Sequence, residues 1–483
     1  MTMRFLAIVA LASCVAACGD DGSPSDAATD GSGGADSSVP TDSSIPTDSP
    51  MRDTGPRRDA GGGPCSVPVA FDVGVTYETT LHVSQRGDDT SGDGSMGSPF
   101  ATIGRAARAA GPGTQIRVGA GTYGPVGLGS LNGAEGRPIA IVADGDAIID
   151  VGGAMEVGVS MSEFSWVVIE GLTIRNARIH GMNLDDGGSR DTPSHHLVLR
   201  NLTIPNAGSG GNNDCIKLSG VDDFWVLGSD VAGCNSGEAI DMVGCHNGVI
   251  SGNYFHDTVG QGVQAKGGSS DTLIHGNRFA NIPVRAVNAG GSTGIEFLRP
   301  ADATWEGLRI RVVANTFTRG GEMGSPIAFD ACDECSFVNN TVVEPQRWVV
   351  RILQGATDPR FVPSRNGLVA NNVFVVQHSS IRAYFNVGPG TAPDTFTFAN
   401  NLWYAHDQDS SWGGPTYTDG IPAGVDELVQ MDPQMIDRAA GNYRLMSTSP
   451  ARGAGRDPGF ALPSDLDGAC YAEPPTLGAF EIP

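Results

Sequence analysis

A single-stranded right-handed parallel β-helix, an all-β solenoid with a short helical cap at its N-terminal end, is the fold class that this 483-residue sequence predicts. Three observations carry the prediction. A short apolar strand closing on Asn-x-aromatic or Asn-x-aliphatic recurs through the middle of the chain. Its copies follow one another at 24 to 32 residues, with one gap of 38. The 68 glycines, with only 7% aromatic and 17% charged residues, suit many tight turns and short strands better than long helices.

The clearest copies are Ile250-Ser251-Gly252-Asn253-Tyr254-Phe255 and Ile274-His275-Gly276-Asn277-Arg278-Phe279. Asn315-Thr316-Phe317, Asn340-Thr341-Val342, Asn372-Val373-Phe374 and Asn401-Leu402-Trp403 follow, and degenerate earlier copies begin at Leu172, Leu202 and Ser229. One unit per turn, with insertions as loops, is the signature of a solenoid. Each unit holds short alternating strands and no long 3.6-residue period, so the solenoid is a β-coil. The asparagine column has a structural role: Asn tolerates left-handed turns and can form amide ladders between stacked rungs.

Before the repeats, Leu81-His82-Val83-Ser84 reads as a strand, 102–110 as a short amphipathic helix after Pro99, and Gln115-Ile116-Arg117-Val118 as the first rung. A stacked coil exposes an apolar end unless something covers it, and this helix is placed to do so. Regular rungs are expected from about residue 114 to 405. The predicted organisation is a lipoprotein signal over 1–18, a tether over 19–64, the capped β-helix over 65–430 and a loop-rich C-terminal cap over 431–483.

Arg4, the apolar run 5–12 and the small residues before Cys18 form an export signal whose end resembles a bacterial lipobox, with Cys18 the acylated residue. An ordinary secretion signal is the alternative, and Leu11-Ala12-Ser13-Cys14 satisfies the same pattern with a shorter leader. Residues 19–64 are almost entirely Asp, Ser, Gly, Thr, Pro and Ala, with too little to bury to offset the entropy of ordering. That segment carries nine Asp and three Arg, and Arg4 adds one positive charge. Of the formal −24, the body from Cys65 onward therefore keeps −19. So acidic a body argues against nucleic acid as partner and repels polyanionic sugars unless cations or local basic residues intervene. A monomer is expected, in contact with a membrane through the lipid anchor only.

Seven of the nine cysteines fall in the body, so at least one stays unpaired there. Cys332-Asp333-Glu334-Cys335 reads as a turn disulfide or two free thiols, not a zinc site, because no second Cys-x-x-Cys accompanies it. Cys65 and Cys470 lie beyond opposite ends of the solenoid and are expected to be too far apart to bond unless the termini fold back.

Gly87-Asp88-Asp89, then Ser98-Pro99-Phe100-Ala101-Thr102-Ile103 and the stretch 119–123, resemble the opening of bacterial secreted right-handed β-helix proteins, pectate lyases of the family-nine type among them. Asn442-Tyr443-Arg444-Leu445, Ser449-Pro450-Ala451 and Leu477-Gly478-Ala479-Phe480-Glu481 resemble their closing segment. The resemblance covers most of the chain after residue 80.

Registering the rungs yields the functional clue. Asp214-Cys215-Ile216-Lys217-Leu218 aligns with Glu238-Ala239-Ile240-Asp241-Met242, and alternation points Ile216, Leu218, Ile240 and Met242 inward. His180, Asn183 and Asp185 fall in the matching outward columns upstream, and Gln261, Gln264, Lys266, Arg285 and Asn288 downstream. These side chains are expected to form one exposed patch. Asp214, Glu238 and Asp241 are oxygen ligands suited to Ca²⁺; Lys266 or Lys217 is the candidate base, with Arg285 beside them. His180, Gln264 and Asn288 are the candidate substrate contacts.

The segment 260–268 resembles the catalytic-lysine rung of chondroitinase B and alginate-lyase-like proteins. This chain has Gln261 where they carry an acid and Asn288 where they carry an arginine. Gln264 stands at the lysine position of family-nine pectate lyases. The resemblance implies calcium-assisted β-elimination of a polyuronate. The alternatives are a non-catalytic glycan-binding or surface structural protein, and a hydrolase using Asp214, Asp222 and Asp223 without the polygalacturonase motifs. Trp403, Tyr404, Trp412 and Tyr417 read as loop packing rather than a sugar platform. His195-His196 and His256-Asp257 lack a third metal ligand.

If Cys18 is acylated, the protein should partition with membranes and Cys18→Ser should release it. Limited proteolysis should cut within 19–64 while the body survives, since only the body buries a core. Unchanged partitioning of the variant would remove the anchor.

Overall fold

The computed structural model describes residues 65–320 and 324–482; the signal, Cys18 and the segment 19–64 lie outside them. The described chain is a right-handed parallel β-solenoid of about 12 turns. A 25-stranded sheet wraps two faces and a ten-stranded sheet forms the third, all parallel. Rung-to-rung register follows the expected alignment, with Ile216 paired to Ile240, Ile240 to Val263 and Val263 to Val287. The cap helix runs Ile103–Ala109, shorter at both ends than expected, with Thr102 accepting the Arg105 amide as its N-cap. Ile103, Ala106 and Ala107 are its buried residues and belong to the main core.

The asparagine column is a continuous buried ladder. Asn277 Oδ1 accepts both the backbone N–H and the Nδ2 of Asn253, each at 2.9 Å, while its own Nδ2 donates to Ile250 O and to Asn315 Oδ1. The pattern repeats through Asn315, Asn340, Asn372 and Asn401. Ser229 caps one end by donating its amide to Asn253 Oδ1, and Glu427 closes the other by accepting Asn401 Nδ2.

The left-handed turn belongs not to the ladder asparagines but to the residue before each. Ala314, Asn339, Asn371 and Asn400 all have φ between 51° and 58°, with Gly252 and Gly276 in the same place, and Asn201 turns the same way before Leu202. Two residues after the ladder position, Phe255, Phe279, Phe317, Phe374 and Trp403 point into the core, and Phe374 stacks on Trp403 at 4.1 Å. Trp403 is thus interior, and Tyr417 packs on Phe385 at 4.7 Å, so these aromatics serve packing.

The termini do fold back. Residues Ala70 and Phe71 pack on Val168, Val198 and Trp225, while Phe460, Leu462 and Tyr471 pack on Leu273, Val313 and Ala314. The two segments meet, and Cys65 is bonded to Cys470 with a Cα–Cα distance of 5.4 Å, contrary to the expectation from solenoid ends alone. The C-terminal segment has no repeat, so its return path along the coil carried no sequence signal. Cys215–Cys234 and Cys332–Cys335 are also bonded, and Cys245 is the remaining body thiol, buried and pushed up to about 12 by that burial. His196 stacks on Trp166 at 3.7 Å, and His256 lies between Asp257 and Asp230.

Asn277→Leu removes bonds in both directions along the ladder and strands buried donors and acceptors, each costing about 1–3 kcal/mol. We expect a loss of roughly 3 kcal/mol or more in urea unfolding, against about 0.5 kcal/mol for Arg278→Lys, at an exposed position of the strand Arg278–Ile282. Equal midpoints for the two variants would remove the ladder from the stability of the coil.

Candidate functional site

The ten-stranded sheet carries the candidate residues. Asn183, Lys217, Asp241, Gln264 and Asn288 form one column, because Ile216–Ser219 pairs in register with Met182–Asp185 and Ile240–Val243, and the latter with Val263–Lys266. His180, Asp214, Glu238, Gln261 and Arg285 occupy the corners that open these strands. Lys217 Nζ is paired with Asp241 Oδ2 and lies 3.8 Å from Asp214 Oδ2. Lys266 Nζ reaches Asp241 Oδ1 at 3.6 Å. Gln261 Nε2 donates to Glu238 Oε1 at 2.8 Å, and Asp214 Oδ1 accepts the Glu238 amide.

The expectation that these residues are exposed is overturned. Asp214, Asp241 and Asn288 are fully buried, and Lys217, Glu238, Gln264 and Lys266 are at most 9% exposed. Outward from the coil is not outward to water. The side chains cover one another, and the insertion between Gly290 and Gly307 folds across the Lys266 end. A Cβ on Gly291 would stand 2.6 Å from Gln264 Nε2 and 3.2 Å from Lys266 Cβ, so only glycine admits that approach. Glu306, which the sequence reading missed, fastens this insertion. It is fully buried, and it accepts the amide of Gly267, next to Lys266, at 2.7 Å and that of Thr293 at 2.8 Å. It lies in an insertion without repeat, so no register pointed to it. Asp222, a candidate under the hydrolase alternative, is held by Arg299 of the same insertion at 2.7 Å. Its neighbour Asp223 stands 3.9 Å from His196.

Arg285 stands apart, 3.5 Å from Asp330. Asn288 has neither polar atom partnered, and Asp214 Oδ2, Glu238 Oε2 and Asp241 Oδ1 are likewise buried without a hydrogen bond. The three carboxylates bring oxygens within 4.8 Å of one another. An all-oxygen set of this kind fits a hard divalent cation such as Ca²⁺.

Burial and the neighbouring Asp214 and Asp241 charges push the Glu238 carboxyl well above its usual range. Burial alone would raise Asp241 too, but Lys217 and Lys266 outweigh it and hold Asp241 low. Burial would lower both lysines; Asp241 and its neighbours outweigh it and hold both ammonium groups above their usual range. These shifts favour the proton on Glu238 and the charged forms of Asp241, Lys217 and Lys266. His180 is pushed down by burial, and its Nδ1 accepts the Asp214 amide at 2.9 Å, so this nitrogen carries no proton and its approach to Asp214 Oδ2 is not an ion pair.

A raised carboxyl opposes folding once pH exceeds its unfolded value, because the folded state must hold a proton or a crowded charge. Glu238→Gln should therefore be more stable than the parent at pH 7, with the difference vanishing as pH falls towards the ordinary glutamate range. A pH-independent difference in thermal midpoint would show that Glu238 is not held protonated.

Residues 157–386 match the family model described as right handed beta helix region. No curated protein matches the chain by sequence. Among solved structures, pectate lyase Pel9A is 14% identical, with 86% of this chain and 99% of that one covered at a TM-score of 0.51. XylC in complex with xylose is 11% identical, covering 84% and 98% at 0.50. An alginate lyase from Paenibacillus sp. str. FPU-7 is 16% identical, covering 65% and 99% at 0.44. At these identities the likeness is one of fold: the chain is a right-handed parallel β-helix protein of pectate-lyase-like form.

Proposed function

We propose that this chain is an exported, lipid-anchored β-helix protein that binds an acidic polysaccharide through a divalent cation, Ca²⁺ by donor type, on Asp214, Glu238 and Asp241. The observation that carries the reading is the buried carboxylate triad in which one oxygen of each member accepts no hydrogen bond. Buried polar atoms are costly to leave unpaired, and a cation joined by water or glycan oxygens would satisfy all three. Lys217 now supplies the counter-charge at Asp241, so cation binding has to displace its ammonium group. His180, part-exposed beside Asp214, offers its imidazole to a sugar hydroxyl, while Asn288 and Gln264 in the Asp241 column are buried with the carboxylates. Export and anchoring rest on the signal, Cys18 and the tether composition.

β-Elimination is the second reading, favoured by the placement of Lys266 Nζ one rung from the carboxylates, with Arg285 on the next rung. Proton abstraction needs a neutral amine. In the arrangement described, both lysines hold their protons, so binding ranks first.

Calorimetry with polygalacturonate, alginate and chondroitin sulfate, in Ca²⁺ and in EDTA, tests both. Binding should require Ca²⁺ and weaken by about tenfold or more in Asp241→Asn, without absorbance growing near 235 nm, the wavelength expected for the unsaturated elimination product. Growth at about 235 nm that Lys266→Ala abolishes would select elimination. Affinity unchanged by EDTA would refute the cation site.

A further inference from the structure

In each repeat the residue between the ladder position and the core aromatic faces away from the core. Register strings these residues into one column: Thr203, Asp230, Tyr254, Arg278, Thr316 and Thr341. Beyond Arg278 the column is covered. Thr316 and Thr341 are buried, and Thr341 Oγ1 accepts the Ala479 amide from the returning C-terminal segment. Asp230, Tyr254 and Arg278 stand on three successive rungs of the uncovered stretch, all three exposed. Tyr254 is 37% exposed and is the only exposed tyrosine or tryptophan among the described residues. One face of its ring lies on His256, with centroids 4.1 Å apart and planes at 19°. His256 Nε2 meets Asp230 Oδ1 at 2.9 Å and its Nδ1 meets Asp257 Oδ2 at 2.7 Å, while Asp257 Oδ1 accepts Asn281 Nδ2 at 2.8 Å. The imidazole is thereby tied through Asp230 to the rung before and through Asp257 and Asn281 to the rung after. Arg278, paired in register with Tyr254, holds its guanidinium 5.9 Å from the tyrosine ring centre and forms no ion pair with a described residue. The strand Tyr254–His256 leads through the corner 257–262 into Val263–Lys266, so this patch and the carboxylate cluster share rungs but not faces.

We propose that Tyr254 and Arg278 form a second glycan subsite, the tyrosine ring packing on the C–H face of a sugar and the guanidinium taking the carboxylate of a uronic acid unit. The inference rests on the acidic-polysaccharide reading above, but not on its cation. Tyrosine offers a broad, rigid apolar face with few torsions to freeze. Here the stack on His256 holds the ring in place before any ligand arrives, which lowers the cost of binding. A ring this large left in water adds nothing to the core, and a ligand that covers it gains the apolar area it buries. The planar fork of Arg278 matches both oxygens of a carboxylate. Charge is arranged to tolerate such a ligand. Burial would lower His256, but its bonds to Asp257 and Asp230 outweigh that and hold it above its usual range. Both ring nitrogens face carboxylate oxygens, which favours the doubly protonated imidazolium. That charge and the guanidinium offset Asp230 and Asp257, in a body whose formal charge is −19.

The probe is an oligogalacturonate series and its carboxyl-reduced neutral counterpart, measured by calorimetry with the full chain in EDTA and in Ca²⁺. In EDTA the acidic oligomers should bind, and the neutral ones should bind more weakly. Tyr254→Ala should weaken both about fivefold or more, and Tyr254→Phe, which keeps the ring, should stay close to the parent. Arg278→Gln should weaken the acidic oligomers by a similar factor and leave the neutral ones unchanged, while Asp241→Asn should alter neither in EDTA. Both altered side chains are exposed, so equal thermal midpoints are expected and verify that the variants are folded. Tyr254→Ala and Arg278→Gln matching the parent in both buffers, while calcium-dependent binding persists, overturn the subsite alone. Tyr254-dependent binding in EDTA with no calcium effect overturns the cation site and leaves the subsite standing. No binding of either series in either buffer overturns both.

Discussion

Every rung of this coil must bend, and a bend inside a closed stack leaves backbone N–H and C=O groups that the sheets cannot pair. The asparagine ladder meets that constraint. Its amides run rung to rung from Ser229 to Glu427; from Asn277 to Asn401 each side-chain oxygen accepts two donors, and each ladder nitrogen donates at least twice. A left-handed residue turns the chain immediately before the ladder, and an apolar side chain enters the core two residues after it. Three positions within four residues thus couple turn, polar satisfaction and core packing. The register of the outer columns, and with it the meeting of Asp214, Glu238 and Asp241, follows from that coupling.

This coupling explains how much of the molecule was legible in the sequence. Few side chains can satisfy a buried bend, so Asn253, Asn277 and their successors recur visibly, and the alignment of Ile216 with Ile240 follows from them. The pairing of Lys217 with Asp241 was legible for the same reason. Burial was not. Which outward column faces water depends on what crosses it, and the insertion held by Glu306 and Arg299 obeys no period. The closure of Cys65 on Cys470 was hidden in the same way, since it depends on a return path without repeat.

The enclosed site illustrates how charge is managed at low dielectric. Isolated ions would be expensive there, and the cluster sets ammonium groups beside carboxylates and pushes the Glu238 carboxyl towards its protonated form. The arrangement is incomplete in hydrogen bonding, and the oxygens that accept no hydrogen bond are its residue.

The bond between Cys65 and Cys470 has a mechanical consequence. Val67 and Tyr471 pack beside Leu273 and Val313, so the staple sits near the middle of the coil, not at its first rung. A pull on the chain ahead of Cys65 enters the body at its waist. The strand Thr79–Val83 and the cap helix are then shielded from tension, and the coil cannot be peeled from its N-terminal end while the bond holds. Load entering there is carried across stacked rungs in the centre, where the asparagine and phenylalanine stacks are continuous.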